Sequence, residues 1–151
     1  MRVNCYELNQ NEGIPCLVKD SGVNYPEEKN LDEPAKISNM MRMVFDADKK
    51  AEEHVWLLSM DSKMKLLGIF EVSHGTVNIA PVAPREIFIR LLLTGAASFV
   101  VVHNHVGGCV EPSKEDVETT KRISAVNIPL MDHIIIGGLN QFSFKKEKML
   151  D

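Results

Sequence analysis

The segment from Ser98 to Asp116 constrains this chain more than any other part of it. It begins with a short apolar run, 98–102, whose β-branched and aromatic residues predict a buried strand. Alternate residues of a strand project from the same face, so His103 and His105 at its end point the same way. We therefore expect the two imidazoles to approach one another.

A turn and a helix start follow the two histidines. The Gly107-Gly108 pair allows the backbone to turn sharply, and Pro112-Ser113 predicts the beginning of a helix with Asp116 in its first turn. Two imidazoles and one carboxylate are thereby aimed at one point, which is the ligand set of a catalytic zinc site. Two protonated imidazoles would repel one another and burial disfavours their charge, whereas metal-ligating histidines are neutral.

Other interpretations of the same residues stay open at this point. Ser113-x-x-Asp116 is also a helix-capping pattern, in which the hydroxyl and the carboxylate bind backbone amides. Cys109 is a less favoured thiolate ligand and is better explained as a reactive thiol beside the site. We expect Asn104, which turns to the opposite face, to satisfy backbone groups or to orient the loop.

Length and composition set the class of protein. A chain of 151 residues with 44% hydrophobic and 25% charged residues is typical of one globular domain. No apolar run reaches the roughly 20 residues of a membrane helix, and the N-terminus lacks the apolar segment of a signal peptide. Three cysteines without a CxxC pair favour a reducing compartment, so a cytoplasmic location is expected. The net charge of −4 argues weakly against direct nucleic-acid binding.

The pattern of elements predicts an α+β chain, with a mixed sheet flanked by helices. Residues 1–33 form an N-terminal extension with one strand at 14–18, either an added edge strand or a partner-binding arm. The helices are predicted to begin at Pro34, Pro84 and Ser113, the last one reaching about Asn127. The remaining strands are predicted at 55–60, 66–72, 76–79, 132–136 and 142–144.

The spacing His-x-His, seven residues, Ser, two residues, Asp resembles the JAMM metalloprotease signature at His103, His105, Ser113 and Asp116. Further segments that resemble the RadC branch of the JAB/MPN (JAMM) superfamily are Pro84-Arg85-Glu86, Thr120-Lys121-Arg122 and Asp132-His133-Ile134-Ile135-Ile136-Gly137. The resemblance covers residues 34 to about 145. It implies a JAMM-type fold akin to cytidine deaminases over residues 34–151, and Zn²⁺ held by His103, His105 and Asp116.

The resemblance also implies an activity and two further residues. It implies a zinc-dependent peptidase or isopeptidase acting on a peptide or protein, with a glutamate upstream of the first core strand as the base. Glu53 occupies the matching place and Glu52 is the second choice. The residues alone favour a solvated carboxylate for Glu53, so only the resemblance supports its role as base. Ser113 would donate a hydrogen bond to the developing oxyanion.

Two departures from the family pattern favour competing functions. Val106-Gly107-Gly108 stands where RadC-like chains usually have Pro-Ser-Gly, which predicts a freer loop. The helix-hairpin-helix region of longer RadC proteins is not in this sequence, which weakens a DNA role. The alternatives are a non-catalytic JAMM-like binding module and an accessory protein of DNA repair. A zinc nucleobase deaminase is disfavoured because the chain has no CxxC.

Overall fold

The computed structural model describes residues 1–75 and 82–150, in which one sheet is flanked by helices. The strands are β1 (Arg2–Asn11), β2 (Ile14–Asn24), β3 (His54–Met60), β4 (Leu66–His74), β5 (Ser98–Asn104), β6 (Leu130–Gly137) and β7 (Asn140–Ser143). The helices are α1 (Pro34–Phe45), α2 (Pro84–Thr94) and α3 (Lys114–Ile123). None of the helices in the described residues is long and apolar enough to cross a membrane.

The sheet is mixed, as the sequence predicts. Its seven strands run in the order β2-β1-β4-β3-β5-β6-β7, with parallel pairing of β1 with β4 and of β5 with β6. The other pairings are antiparallel. Every residue of β5 is buried, which agrees with the apolar run at its centre, 99–102, and its place between two partner strands. The prediction of an α+β chain with a mixed sheet is confirmed.

Alternating side chains of β3 and β5 build a core on each face of the sheet. On one face, Trp56 and Val102 pack in a cluster with Met40 and Met41 of α1. On the other face, Val55 and Val101 pack in a cluster that includes residues of α2 and α3. Burial of each large apolar side chain contributes roughly 1.5–3 kcal/mol. The second face is the one that carries the histidines, because His103 lies directly opposite Val55 in the strand pairing.

The N-terminal residues contribute more structure than the sequence predicts. The strand expected at 14–18 is the first part of β2, and β1, which the sequence analysis did not predict, pairs with it along its whole length. The turn between them places Glu12 and Gly13 at positive φ, +50° and +81°. Cys5 of β1 pairs with Ile69 of β4, so this hairpin extends the same sheet.

Several element ends differ from the prediction. Helix α3 ends at Ile123 rather than near Asn127, because the amides of Ala125 and Val126 bond to carbonyls three residues back, in tight turns before Pro129. Strand β4 continues to His74, and β7 spans 140–143 rather than 142–144. The strand predicted at 76–79 lies outside the described residues.

Candidate metal centre

Three side chains meet where β5 ends and α3 begins. The Nε2 atoms of His103 and His105 lie 3.0 Å apart. The carboxylate of Asp116 places one oxygen 3.1 Å from Nε2 of His105 and the other 3.4 Å from Nε2 of His103. One ligand atom from each residue falls within 4.8 Å of the other two, an arrangement that is placed to hold a metal ion. His103 and Asp116 are buried, and His105 is partly exposed.

The hydrogen bond made by Nδ1 of His105 determines which of the two ring nitrogens carries the proton. Its Nδ1 lies 2.9 Å from the carbonyl oxygen of Cys109, which accepts and cannot donate, so Nδ1 carries the proton. A neutral ring then has an unprotonated Nε2 facing Asp116 and His103. Lone pairs and a carboxylate at these short separations repel one another unless a proton or a cation lies between them. The residues present therefore fit a divalent cation such as zinc.

The electrostatics of His103 and Asp116 favour the charge states that metal ligands need, whereas those of His105 favour its protonated form in the absence of a metal. Burial lowers the pKa of His103 below its usual value, which keeps that imidazole neutral. Burial acts to raise the pKa of Asp116, but its contacts with His103 and His105 outweigh this and hold the pKa well below its ordinary range. The hydrogen bond with Asp116 raises the pKa of His105. At neutral pH the site therefore contains an ionised carboxylate beside a neutral buried imidazole.

The capping interpretation of Asp116 is confirmed. The backbone N–H of Ser113 donates to Asp116 Oδ2 at 2.8 Å, and the N–H of Asp116 donates to Ser113 Oγ at 3.0 Å. This capping box orients the carboxylate toward the histidines, so capping and proximity to the imidazoles are compatible. The hydroxyl hydrogen of Ser113 has no hydrogen-bond acceptor among the described residues.

Glu53 reaches the same corner of the sheet through the pairing of β3 with β5. Val55 lies opposite His103, and Glu53, two residues before Val55, lies close enough to His105 and Asp116 for their charges to act on its carboxylate. Burial raises the pKa of Glu53, the charge of His105 opposes this shift, and Asp116 adds to it. Glu52, the other candidate, is exposed, with its carboxylate beside Gly75.

Asn104 holds the backbone on both sides of Glu53. Its Oδ1 accepts from the N–H of His54 at 2.7 Å, and its Nδ2 donates to the carbonyl of Glu52 at 2.9 Å. The expectation that this amide satisfies backbone groups is confirmed. Because Asn104 is only 1% exposed and is itself in a central strand, it ties the position of Glu53 to the strand that carries His103.

The loop after the histidines packs more tightly than the Gly-Gly sequence predicts. Gly107 and Gly108 adopt positive φ values of +96° and +86°, and Gly108 lies directly against Gly137 at the end of β6. The N–H of His105 donates to the carbonyl of Ile136 at 2.8 Å. Cys109 is exposed, and the group of candidate ligands in the described residues does not include its thiol.

One further histidine near the site was not predicted from the sequence to belong to it. His133, fully buried in β6, lies with its Nε2 2.7 Å from Nδ1 of His103. Its sequence context predicts a buried strand and no role in the site. The sequence does place this histidine beside the apolar run Ile134-Ile135-Ile136. A buried imidazole needs polar partners, so this position could have indicated a polar contact near the site.

Comparisons with known proteins give a matching family model and several relatives. A family model described as the RadC-like JAB domain matches residues 31–149. A UPF0758 protein of Desulforudis audaxviator is 40% identical over 99 residues, covering 63% of this chain and 43% of that protein. A UPF0758 protein of Clostridium acetobutylicum is 34% identical over 128 residues, covering 82% of this chain and 55% of that protein. The chain thus spans about half the length of these curated relatives.

Proposed function

The chain belongs to the RadC-like JAB domain family, and from this membership we propose that it is a zinc-dependent hydrolase of amide bonds in peptides or proteins. The observation that carries the proposal is the convergence of His103, His105 and Asp116, whose ligand atoms face one another in one corner of the fold. Glu53 lies close enough for the charges of His105 and Asp116 to act on its pKa. This combination of a ligand set with an adjacent carboxylate is what metal-assisted hydrolysis requires.

In this proposal, His103, His105 and Asp116 hold the zinc ion. Two imidazoles and one carboxylate leave a position open to solvent or substrate, as in catalytic rather than structural zinc sites. When bound, zinc supplies Lewis acidity, which polarises a carbonyl group and makes water acidic enough to act as a nucleophile near neutral pH. The capping box keeps Asp116 oriented toward the imidazoles, so this ligand is positioned before any ion arrives.

Glu53 acts as the proton carrier. A carboxylate whose pKa is raised by burial is a stronger base than an exposed one, and it can later act as an acid near neutral pH. It takes the proton of the attacking water and delivers it to the leaving amine. Its backbone is fixed by Asn104, which limits how far the carboxylate can move from the ligands.

Ser113 stabilises the oxyanion that develops on the scissile carbonyl. Its oxygen accepts the N–H of Asp116 in the capping box, so its own hydroxyl hydrogen is available to donate toward the site. A positioned donor of this kind accounts for a factor on the order of 10² in rate.

The experiment combines zinc binding with a search for cleavage. Zinc-loaded protein is incubated with a proteome-derived peptide library, and new termini are identified by mass spectrometry. Glu53→Gln should keep about one zinc per chain and lose cleavage, whereas His103→Ala should lose both. Glu52→Gln, the same change at the neighbouring exposed carboxylate, is the matched control and should cleave like the wild type.

The outcomes separate the hydrolase from its alternatives. If Glu53→Gln cleaves as well as the wild type, the proposed base is wrong. If the wild type binds zinc but produces no new peptide termini, the chain is a non-catalytic binding module instead. If zinc does not bind at all, the metal site itself is refuted.

A further inference from the structure

We propose that His133 and Thr120 are positioning residues, which fix the tautomer of His103 so that its Nε2 is the nitrogen available to a metal. The inference rests on the proposed metal site and extends it to two side chains outside the ligand set. His133 lies on β6 and Thr120 on α3, so the two residues join the strand and the helix that surround the site.

A continuous chain of short hydrogen bonds connects the three residues. Nδ1 of His103 lies 2.7 Å from Nε2 of His133, and Nδ1 of His133 lies 2.6 Å from Oγ1 of Thr120. Oγ1 of Thr120 donates to the backbone carbonyl of Asp116 at 2.7 Å. His103 and His133 are fully buried and Thr120 is 3% exposed, so solvent does not compete for these bonds.

The backbone carbonyl of Asp116, the last acceptor in this chain of hydrogen bonds, sets the direction of every bond in it. A carbonyl oxygen only accepts, so the single hydroxyl hydrogen of Thr120 is committed to Asp116. The Thr120 oxygen must then accept from Nδ1–H of His133, which leaves Nε2 of His133 as an acceptor. His103 must in turn donate from Nδ1, and its Nε2 keeps a lone pair toward the site.

The opposite direction is disfavoured by one specific contact. If Thr120 donated to His133, the hydroxyl oxygen and the Asp116 carbonyl would face each other at 2.7 Å with no hydrogen between them. His103 would then carry its proton on Nε2, where it blocks a metal ion. The chain of hydrogen bonds therefore favours the tautomer of His103 that can bind a metal, even before the ion is present.

Packing against Phe144 keeps the His133 ring from rotating out of this arrangement. Its ring stacks on Phe144 with centroids 4.7 Å apart and planes within 8°, which holds the imidazole plane in place. Turning the ring over would break both of its hydrogen bonds at once. The chain also begins and ends on Asp116, whose carbonyl accepts from Thr120 and whose carboxylate faces His103.

The first test measures the tautomer of His133 directly, in metal-free protein and without reference to activity. Long-range ¹H–¹⁵N correlation spectra at pH 7.5 should show His133 with its proton on Nδ1, the less common neutral form. A proton on Nε2 of His133 in the wild type would overturn the inference. Because this measurement needs no zinc, it decides the inference even if the proposed hydrolase proves wrong.

The second test measures zinc affinity by competition with a chromophoric chelator. Thr120→Val keeps the shape of the side chain and removes the hydroxyl, and it should weaken zinc binding about tenfold or more. Thr119→Val is the matched control, because Thr119 is equally buried on the same helix and takes no part in the chain of hydrogen bonds. Its affinity should stay within about twofold of the wild type.

A third variant covers the case in which Thr120→Val does not fold. His133→Phe keeps an aromatic ring to stack on Phe144 and removes the acceptor for His103, so zinc affinity should fall about 10–100-fold. Equal zinc affinity of wild type, Thr120→Val and His133→Phe would refute the positioning role and leave the zinc hydrolase intact.

Discussion

Replacement of Gly137 by alanine tests how the fold holds the loop that carries the candidate ligands. A Cβ at this position would lie 2.9 Å from the carbonyl carbon of Gly108 and 3.0 Å from Cγ1 of Val110. The φ angle of Gly137 is outside the left-handed region, so the backbone itself tolerates alanine. Packing against the loop is therefore what resists the added methyl group.

The size of the effect follows from these distances. Carbon atoms are most favourably separated by about 3.5–4.0 Å, so the methyl group must displace the loop backbone by roughly 0.5–1 Å. Overpacking of this kind costs about 1–3 kcal/mol, equivalent to roughly 2–12 °C in melting temperature for a domain of this size. The carbonyl of Cys109, which follows Gly108, accepts from Nδ1 of His105, so the displacement also turns this imidazole. Because metal–ligand distances tolerate only about 0.2 Å, zinc affinity should fall about tenfold or more.

Thermal unfolding of metal-free protein and chelator competition measure the two effects separately. Gly138→Ala is the control: its φ of +56° makes alanine strained by about 1–2 kcal/mol, but its Cβ would lie 3.9 Å from Gly108, an ordinary contact. This variant should lose stability and keep its zinc affinity. If Gly137→Ala matches wild-type zinc affinity, the loop does not depend on this packing and the reasoning is refuted.

Three further predictions concern single side chains. Asn104→Ala should keep zinc binding and lower the rate of cleavage, because it releases the backbone on both sides of Glu53; an unchanged kcat would contradict this role. Ser113→Ala should lower the melting temperature by roughly 2–4 °C through loss of about 1 kcal/mol of helix capping. Calorimetry and zinc titration of this variant should show a lower melting temperature with the ion still bound. Burial holds the pKa of His133 well below 6.5, so the unfolded chain binds more protons below that pH and metal-free protein should lose stability as the pH falls. Denaturant titrations of the wild type and His133→Phe should show a shallower loss in the variant.

The convergence of the candidate ligands was predictable from sequence because their spacing is local. His103 and His105 share a strand period, and Asp116 follows a helix start, so two short-range rules bring the three side chains together. Glu53 obeys no such rule, because its place near His105 depends on the pairing of β3 with β5, about 50 residues apart along the chain. Its assignment therefore required the family resemblance.

The N-terminal hairpin was less predictable because its sequence carries little burial pattern. Most residues of β1 and β2 are exposed or half-buried, and Val3 is the only residue of these two strands that is fully buried. Strand prediction from alternating hydrophobicity has little to act on in such a segment. The contact of His133 with Thr120 was not predictable from the sequence either, because it joins a strand to a helix through side chains alone.

Because Asp116 both caps α3 and faces the two histidines, opening of the first turn of this helix is linked to metal occupancy of the site. The carboxylate that closes the first turn of α3 is the same one that faces His103 and His105. When this turn opens, the carboxylate leaves the imidazoles, and an ion seated among the three side chains opposes that opening. Hydrogen exchange at the amides of Ser113 and Asp116 is therefore a local gauge of occupancy, because both N–H groups are protected only while the turn is closed.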